Sequence, residues 1–296
     1  MPTITDVIEV LESIAPPVYQ ESYDNAGLIV GDPNAPVRGV LCCLDAIEEV
    51  VDEAIRLDCN LVVAHHPIVF RGLKRLTGAN YVERTVLKAI KHDVAIYAIH
   101  TNLDNVLHRG VNERIAQRLG LTDCRILAPK QVLQVAVWHF AEAPTHALVE
   151  ALEELPGTAC QTDGPRVEVR YPTGSARAVH ALMAQHGGQL WSVRADERPA
   201  DQIGSGLVGL LPEPMPETAF LDLLKERMQT GCIRHTRLLG KPVRRVALCG
   251  GAGGFLLRQA IAVGADFFVT ADYKYHEFFD ADNQIVIADI GHYESE

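Results

Sequence analysis

Two hydrophobic rhythms alternate along this chain. Short unbroken apolar runs such as VLCCL, LVVA, VAIYAI, FFV and IVIA are separated by stretches like IEEVVDEAIRL, VERTVLKAIK and VNERIAQRL, where apolar residues recur every third or fourth position. The first pattern, rich in Val, Ile and Ala, fits strands covered on both faces, and the second fits one buried stripe of a helix. Their alternation predicts an α/β fold with a parallel or mostly parallel sheet. The opening segment, ITDVIEVLESIAP, has helical spacing, with Thr5 as its expected cap.

From about Lys130 the texture changes. QVLQVAVWHF, THALVEALEEL, RVEVRYP and SARAVHALMAQHG read as strand, helix, strand, helix, with no ligand-type residues behind the strands. GSGLVGLLPEPMPE closes this stretch with Gly and Pro punctuation, and FLDLLKERM is a further helix. The earlier rhythm then returns in VRRVALCGGAGG, FLLRQAIAVG, DFFVTAD and QIVIADI. The expected organisation is an α/β core split by a smaller inserted α+β domain, with core segments 1–128 and 239–296 and the insert over 129–238. No repeat of fixed period interrupts it.

Three core runs are followed at once by metal-type residues: LVVAHHP by His65 and His66, AIYAIHTNLDN by His100 and Asp104, and IVIADIGHYESE by His292 and Glu296. In open α/β sheets ligands bind beyond the carboxyl ends of the strands, so these side chains are expected on one rim. Each motif alone has a plainer reading. The His65–His66 pair alone is a core residue beside an exposed one, Asp104 is a turn or cap in a loop, and Glu296 is a solvated terminal side chain. Convergence favours a metal, because packing does not explain His65, His66, Asp104, His292 and Glu296 behind three strands. Imidazole with carboxylate suits Zn, Mn, Fe, Co or Ni rather than an all-oxygen calcium cage, and five ligands suit two divalent ions. Asp104 is the expected bridge, with Glu296 the alternative. His276 in TADYKYHEFFDA is the candidate acid or base, with an exposed helical histidine as the alternative. Asp24, Asn25 and Asp45 read as turn and cap residues with a supporting role behind the ligands open to them. The glycines from Gly250 to Gly254 match neither nucleotide-binding pattern and read as a tight turn.

The charge excludes some partners. With 27 Lys and Arg against 38 Asp and Glu, the formal charge is -11, and no dense basic run offsets it, so nucleic acid is not an expected partner. The amino terminus lacks the basic region of a signal peptide and no apolar stretch reaches membrane-spanning length, giving a cytoplasmic expectation without membrane association. Seven cysteines without C-x-x-C pairing fit a reduced compartment.

DNAGLIVGDP, AHHPIVF, HTNLDN with GVN beyond it, and GHYESE together resemble the Nif-three-like dinuclear metal-centre family, the GTP cyclohydrolase I type 2 homologues. The resemblance spans residues 2–121 and 243–296 and implies that His65, His66, Asp104, His292 and Glu296 hold two divalent metal ions. It further implies a homohexamer (self-association) and a PII-like, ferredoxin-like insert. The implied activity is hydrolytic opening of the GTP ring by metal-bound hydroxide; the alternative is a non-enzymatic metal-binding or regulatory hexamer sensing a small ligand through its insert. The family's T-G-D-x-K-H-H reads here as Thr270 to His276 with Tyr275 at the first histidine, the insert is shorter than usual, and relatives continue beyond the position of Glu296.

Overall fold

The computed structural model describes residues 1–130, 132–155, 157–196 and 202–296, so Gln131 at the head of QVLQVAVWHF lies outside them. Contacts divide the chain into two compact units, Met1–Val111 with Glu296, and Asn112–Ser295.

The first unit begins with α1 (Ile4–Ile14) and continues with β1 (Gly27–Val30), β2 (Val40–Asp45), α2 (Glu48–Arg56), β3 (Leu61–His66), α3 (Tyr81–Lys91), β4 (Ala95–Ala98) and α4 (Thr101–Asp104). Its cap is Thr3, not Thr5. The Thr3 side chain accepts from the Asp6 amide while the Asp6 carboxylate accepts from the Thr3 amide, closing a reciprocal box that Thr5, already inside the first turn, has no free geometry to make. Thr5 instead donates its hydroxyl to the Pro33 carbonyl.

The sheet order is β1-β4-β3-β2, with β2, β3 and β4 parallel and β1 antiparallel on β4. Helical crossovers between parallel neighbours cover a face of the sheet, and the sequence pays in apolar residues accordingly. Val62, Ala64 and Ile96 pack with Val51 and Ala54 of α2 and Val86 and Ala89 of α3 in one buried cluster. Each large side chain so buried is worth roughly 1.5–3 kcal/mol. Gly31 has φ +115, and a Cβ there would lie 2.5 Å from the Ala95 Cβ, so only glycine lets the chain leave β1 this close to β4.

The second unit carries α5 (Val111–Leu119), β5 (Thr122–Pro129), β6 (Leu133–His139), α6 (His146–Glu153), β7 (Ala159–Asp163), β8 (Arg166–Pro172), α7 (Ala176–Gln185) and β9 (Gln189–Ala195). It continues with β10 (Gly204–Pro216), α8 (Glu217–Arg227), β11 (Arg234–His235), β12 (Pro242–Ala252), α9 (Leu257–Ala262), β13 (Phe267–Ala271), β14 (Val286–Asp289) and α10 (His292–Ser295). A six-stranded sheet runs β11-β14-β13-β12-β10-β5, with β12, β13 and β14 parallel and the other pairings antiparallel. β10, which the sequence pattern groups with the insert, lies between β5 and β12, and its run from Gly204 to Gly209 is buried throughout, as a central strand must be.

A separate four-stranded sheet of order β7-β8-β6-β9 is antiparallel at every pairing. Its elements follow one another as β-α-β-β-α-β, the order of a split βαβ unit. Trp138, Val167, Val169 and Tyr171 pack on Leu148 and Leu152 of α6 and on Val179 and Met183 of α7. The whole chain is therefore mixed α/β. Among the described residues no helix is long and apolar enough to cross a membrane. All seven cysteines are free thiols, and burial pushes the Cys43 thiol up to about 11.

Candidate metal centre

β3 ends in His65 and His66, and Pro67 follows without an N–H to extend the ladder. β3 lies between β4 and β2, and each neighbour fixes one ring. His65 Nδ1 is 2.9 Å from the carbonyl oxygen of Ile99, just past β4. His66 Nδ1 is 2.9 Å from Oδ1 of Asp45, the last residue of β2 and the register partner of His66. Just past β4, His100 Nδ1 is 2.7 Å from Oδ1 of Asp24.

A carbonyl or an ionised carboxylate only accepts, so each Nδ1 carries a proton and Nε2 is the nitrogen each ring turns away from its anchor. The three rings meet with centroids 5.0 Å apart for His65 and His66 and 5.3 Å from each of these to His100. One ring nitrogen of each lies within 4.8 Å of the others.

Two carboxylates join them in the same unit. His65 Nε2 is 3.6 Å from Asp104 Oδ1 and 3.8 Å from Glu296 Oε1, and His66 Nε2 is 2.9 Å from Glu296 Oε2. His65, Asp104 and Glu296 form a second group with ligand atoms within 4.8 Å. Burial pushes the Asp104 carboxyl up to about 6, against the pull of His65. The His65 ring is disfavoured as a cation by burial, yet Glu296 and Asp104 outweigh this and hold it above the ordinary imidazole range. His66 is raised chiefly by its hydrogen bond to Glu296.

The residues fit a divalent cation on one further observation. His65 Nε2 is buried and makes no hydrogen bond among the described residues, although two carboxylates stand close by. Donors bound at about 2.1 Å to one ion, at angles of about 90–110°, lie about 3–3.5 Å apart, close to these separations. A lone pair buried among acceptors calls for a cation.

The segment behind His100 is built inward. The Asp24 side chain has no exposed surface, and its Oδ2 accepts from the Thr101 amide at 3.0 Å and from the Thr101 hydroxyl. Burial alone would raise the Asp24 pKa, but the hydrogen bonds from His100 and Thr101 prevail and lower it to about 2. The His100 amide donates to Asn102 Oδ1, and Asn102 and Asn105 donate to the carbonyls of Ala15 and Tyr19. Polar residues that suggested an open loop over HTNLDN thus hold a short helical turn from within.

In the second unit, His292 opens α10 with its Nδ1 2.8 Å from Asp272 Oδ2, a carboxylate behind β13. The imidazole is therefore fixed in the same way as the other three. Ser295 accepts from the Gly251 amide at 2.9 Å and donates to the His292 carbonyl. The Gly250 and Gly253 amides donate to Asn112 and Thr270 side chains. With these donors already used, the glycine stretch is not a phosphate cradle; nor is it the expected tight turn, since Gly250 and Gly251 belong to the end of β12, where the register on β13 shifts between Leu248 and Ala252. A Cβ at Gly253 would lie 2.5 Å from Thr270 Oγ1. His276 is exposed on a 3-10 turn, Tyr275–Ala281, its ring edge-on to Tyr275 with centroids 5.1 Å apart.

Of the expected site residues, His65, His66, Asp104 and Glu296 thus come together in the first unit, whereas His292 and His276 belong to the second. The sequence reading did not count His100 among the ligands, although it follows β4 as His65 and His66 end β3. Asp24 and Asp45, read from the sequence as turn and cap residues with a supporting role open to them, stand against the His100 and His66 rings.

A family model described as Duf34/NIF3 (NGG1p interacting factor 3) matches residues 2–296. A relative from Bacillus subtilis (strain 168), named GTP cyclohydrolase 1 type 2 homolog, is 30% identical over 97% of this chain and 87% of its own length. The crystal structure of a Bacillus cereus protein related to NIF3 superposes with a TM-score of 0.82 at 31% identity, covering 99% of this chain and 89% of that one. That of Staphylococcus aureus protein SA1388 gives 0.78 at 28% identity, covering 99% and 88%. The chain belongs to the Duf34/NIF3 family.

Proposed function

We propose that this chain is a divalent-metal-dependent hydrolase acting on a nucleotide of the GTP type, with two ions held through His65, His66, Asp104, His292 and Glu296. The observation that carries the metal assignment is the buried His65 Nε2, which lacks a hydrogen bond beside Asp104 and Glu296. The name shared by the relatives supplies the substrate class. A pair of divalent ions supplies Lewis acidity and lowers the pKa of coordinated water toward neutrality.

The chain's own contribution is orientation and exclusion of water. Ile99 and Asp45 fix the His65 and His66 rings so that neither loses a favourable tautomer on binding. Burial of Asp104 and of the Glu296 side chain removes competing solvent from the oxygen donors. His276 is the proposed proton-transfer group, and the family resemblance supports assembly as a homohexamer with a PII-like insert.

The test is elemental analysis of the purified chain followed by incubation of the metal-loaded protein with GTP. The expected outcome is about two ions per chain and release of formate with a dihydroneopterin product, both lost in His65→Ala. Fewer than one ion per chain would overturn the metal reading. Two ions without product above the His65→Ala control would overturn the cyclohydrolase reading alone.

A further inference from the structure

We propose that His100 is a further imidazole ligand of this divalent-cation site, beside His65 and His66, with Asp24 as the residue that positions it, an assignment resting on the metal-binding reading above. A histidine that serves packing alone turns its polar edges toward protein partners. Among the described residues His100 does so at one edge only, where Nδ1 meets Asp24 Oδ1 at 2.7 Å. Its donor side belongs to the group formed with His65 and His66, in which one nitrogen from each ring lies within 4.8 Å of the others. Since all three Nδ1 atoms are engaged with oxygen acceptors, Nε2 is the nitrogen each ring has to offer.

The ring is also held in place. Its backbone amide is taken by Asn102, and the second oxygen of Asp24 is taken by the amide and hydroxyl of Thr101. Asp24 therefore has no spare oxygen that would draw the ring around, and its side chain is shielded from water. Three ring nitrogens brought this close, with Asp104 and Glu296 beside His65, form the donor set of a cation site. A further nitrogen donor also makes the site richer in imidazole, which favours zinc, cobalt, nickel and iron over magnesium and manganese. His100 is in this sense the residue that sets the choice of metal, and Asp24 acts through it.

The experiment is a Co2+ titration of the purified full chain, reading the dissociation constant and the visible d–d absorption band, with circular dichroism to confirm folding. The variants are His100→Ala, Asp24→Asn and His65→Ala, with His146→Ala on the exposed surface of α6 as a neutral comparison. His100→Ala is expected to weaken Co2+ binding at least about tenfold and to shift the band, and Asp24→Asn to weaken it about tenfold with a smaller shift. If folded His100→Ala keeps the parental constant and band while His65→Ala loses both, the inference is overturned and the metal reading stands. If His65→Ala also keeps both, the metal reading falls and takes this inference with it. Should His100→Ala fail to fold, Asp24→Asn decides alone, an unchanged band and constant overturning the proposal.

Discussion

The chain holds two four-stranded sheets with opposite chemical consequences, β1-β4-β3-β2 in the first unit and β7-β8-β6-β9 in the second. In the first, β2, β3 and β4 run parallel, so Asp45, His65, His66 and His100 leave neighbouring strands at the same edge. In the other sheet every neighbour is antiparallel. His139 at the carboxyl end of β6 therefore faces Arg166 at the start of β8 and Gln189 at the start of β9, and its ring meets Trp191 edge-on with centroids 5.3 Å apart. A histidine behind an apolar strand acquires ligand partners only where the adjacent strands end beside it. Strand direction, more than residue type, separates a metal rim from an ordinary surface.

The largest expected effect comes from metal linkage. A divalent ion at about one hundred times its dissociation constant should add about 2.7 kcal/mol of stability. Hydrogen exchange should place this gain on the amides of β3 and β4 and leave β6 and β8 unchanged. Equal protection in both sheets would break the comparison.

A smaller effect is expected from Asp24 in the metal-free protein. Its folded pKa of about 2 lies below the ordinary 3.8, so it contributes stability above about pH 4 that is lost as pH falls through 2. The contribution is on the order of 2 kcal/mol. Urea unfolding should show the difference between the parent and Asp24→Asn shrinking between pH 5 and pH 2; a difference independent of pH would remove the carboxylate's electrostatic role.

The smallest effect belongs to the antiparallel sheet. Trp138 Nε1 is buried without a hydrogen bond among the described residues, and the ring packs edge-on to His180 at 5.2 Å. In Trp138→Phe the relief of that donor should offset the lost packing, leaving stability within about 1 kcal/mol of the parent. A loss of more than about 3 kcal/mol in thermal unfolding would show that the indole is held by a partner.

Much of this was legible because it is local. The strand and helix rhythms, the doublet at His65 and His66, and Asp104 with Glu296 as acidic partners follow from residue type and short spacing. The partners of the rings did not, since Asp24 and His100 are 76 residues apart and Asp45 and His66 are 21 apart, distances over which no periodicity carries information. Asp24 and Asp45 looked like turn residues because an acceptor in a loop has the same composition whether it caps an amide or an imidazole. The strand over Gly204–Pro216 was grouped with the insert by its glycines and prolines, while its pairing with β5 and β12 depends on residues far away in the chain.

One of the imidazoles is held by main chain alone. Ile99 receives the His65 ring through its carbonyl and donates its own amide to Ala64, so the two strands grip each other on either side of that contact. No exchange of side chain at position 99 removes an oxygen that every amino acid possesses. Random mutagenesis will therefore hit His66 and His100 through their aspartates, while the orientation of His65 is inherited with the path of the backbone and changes only when the strands themselves move.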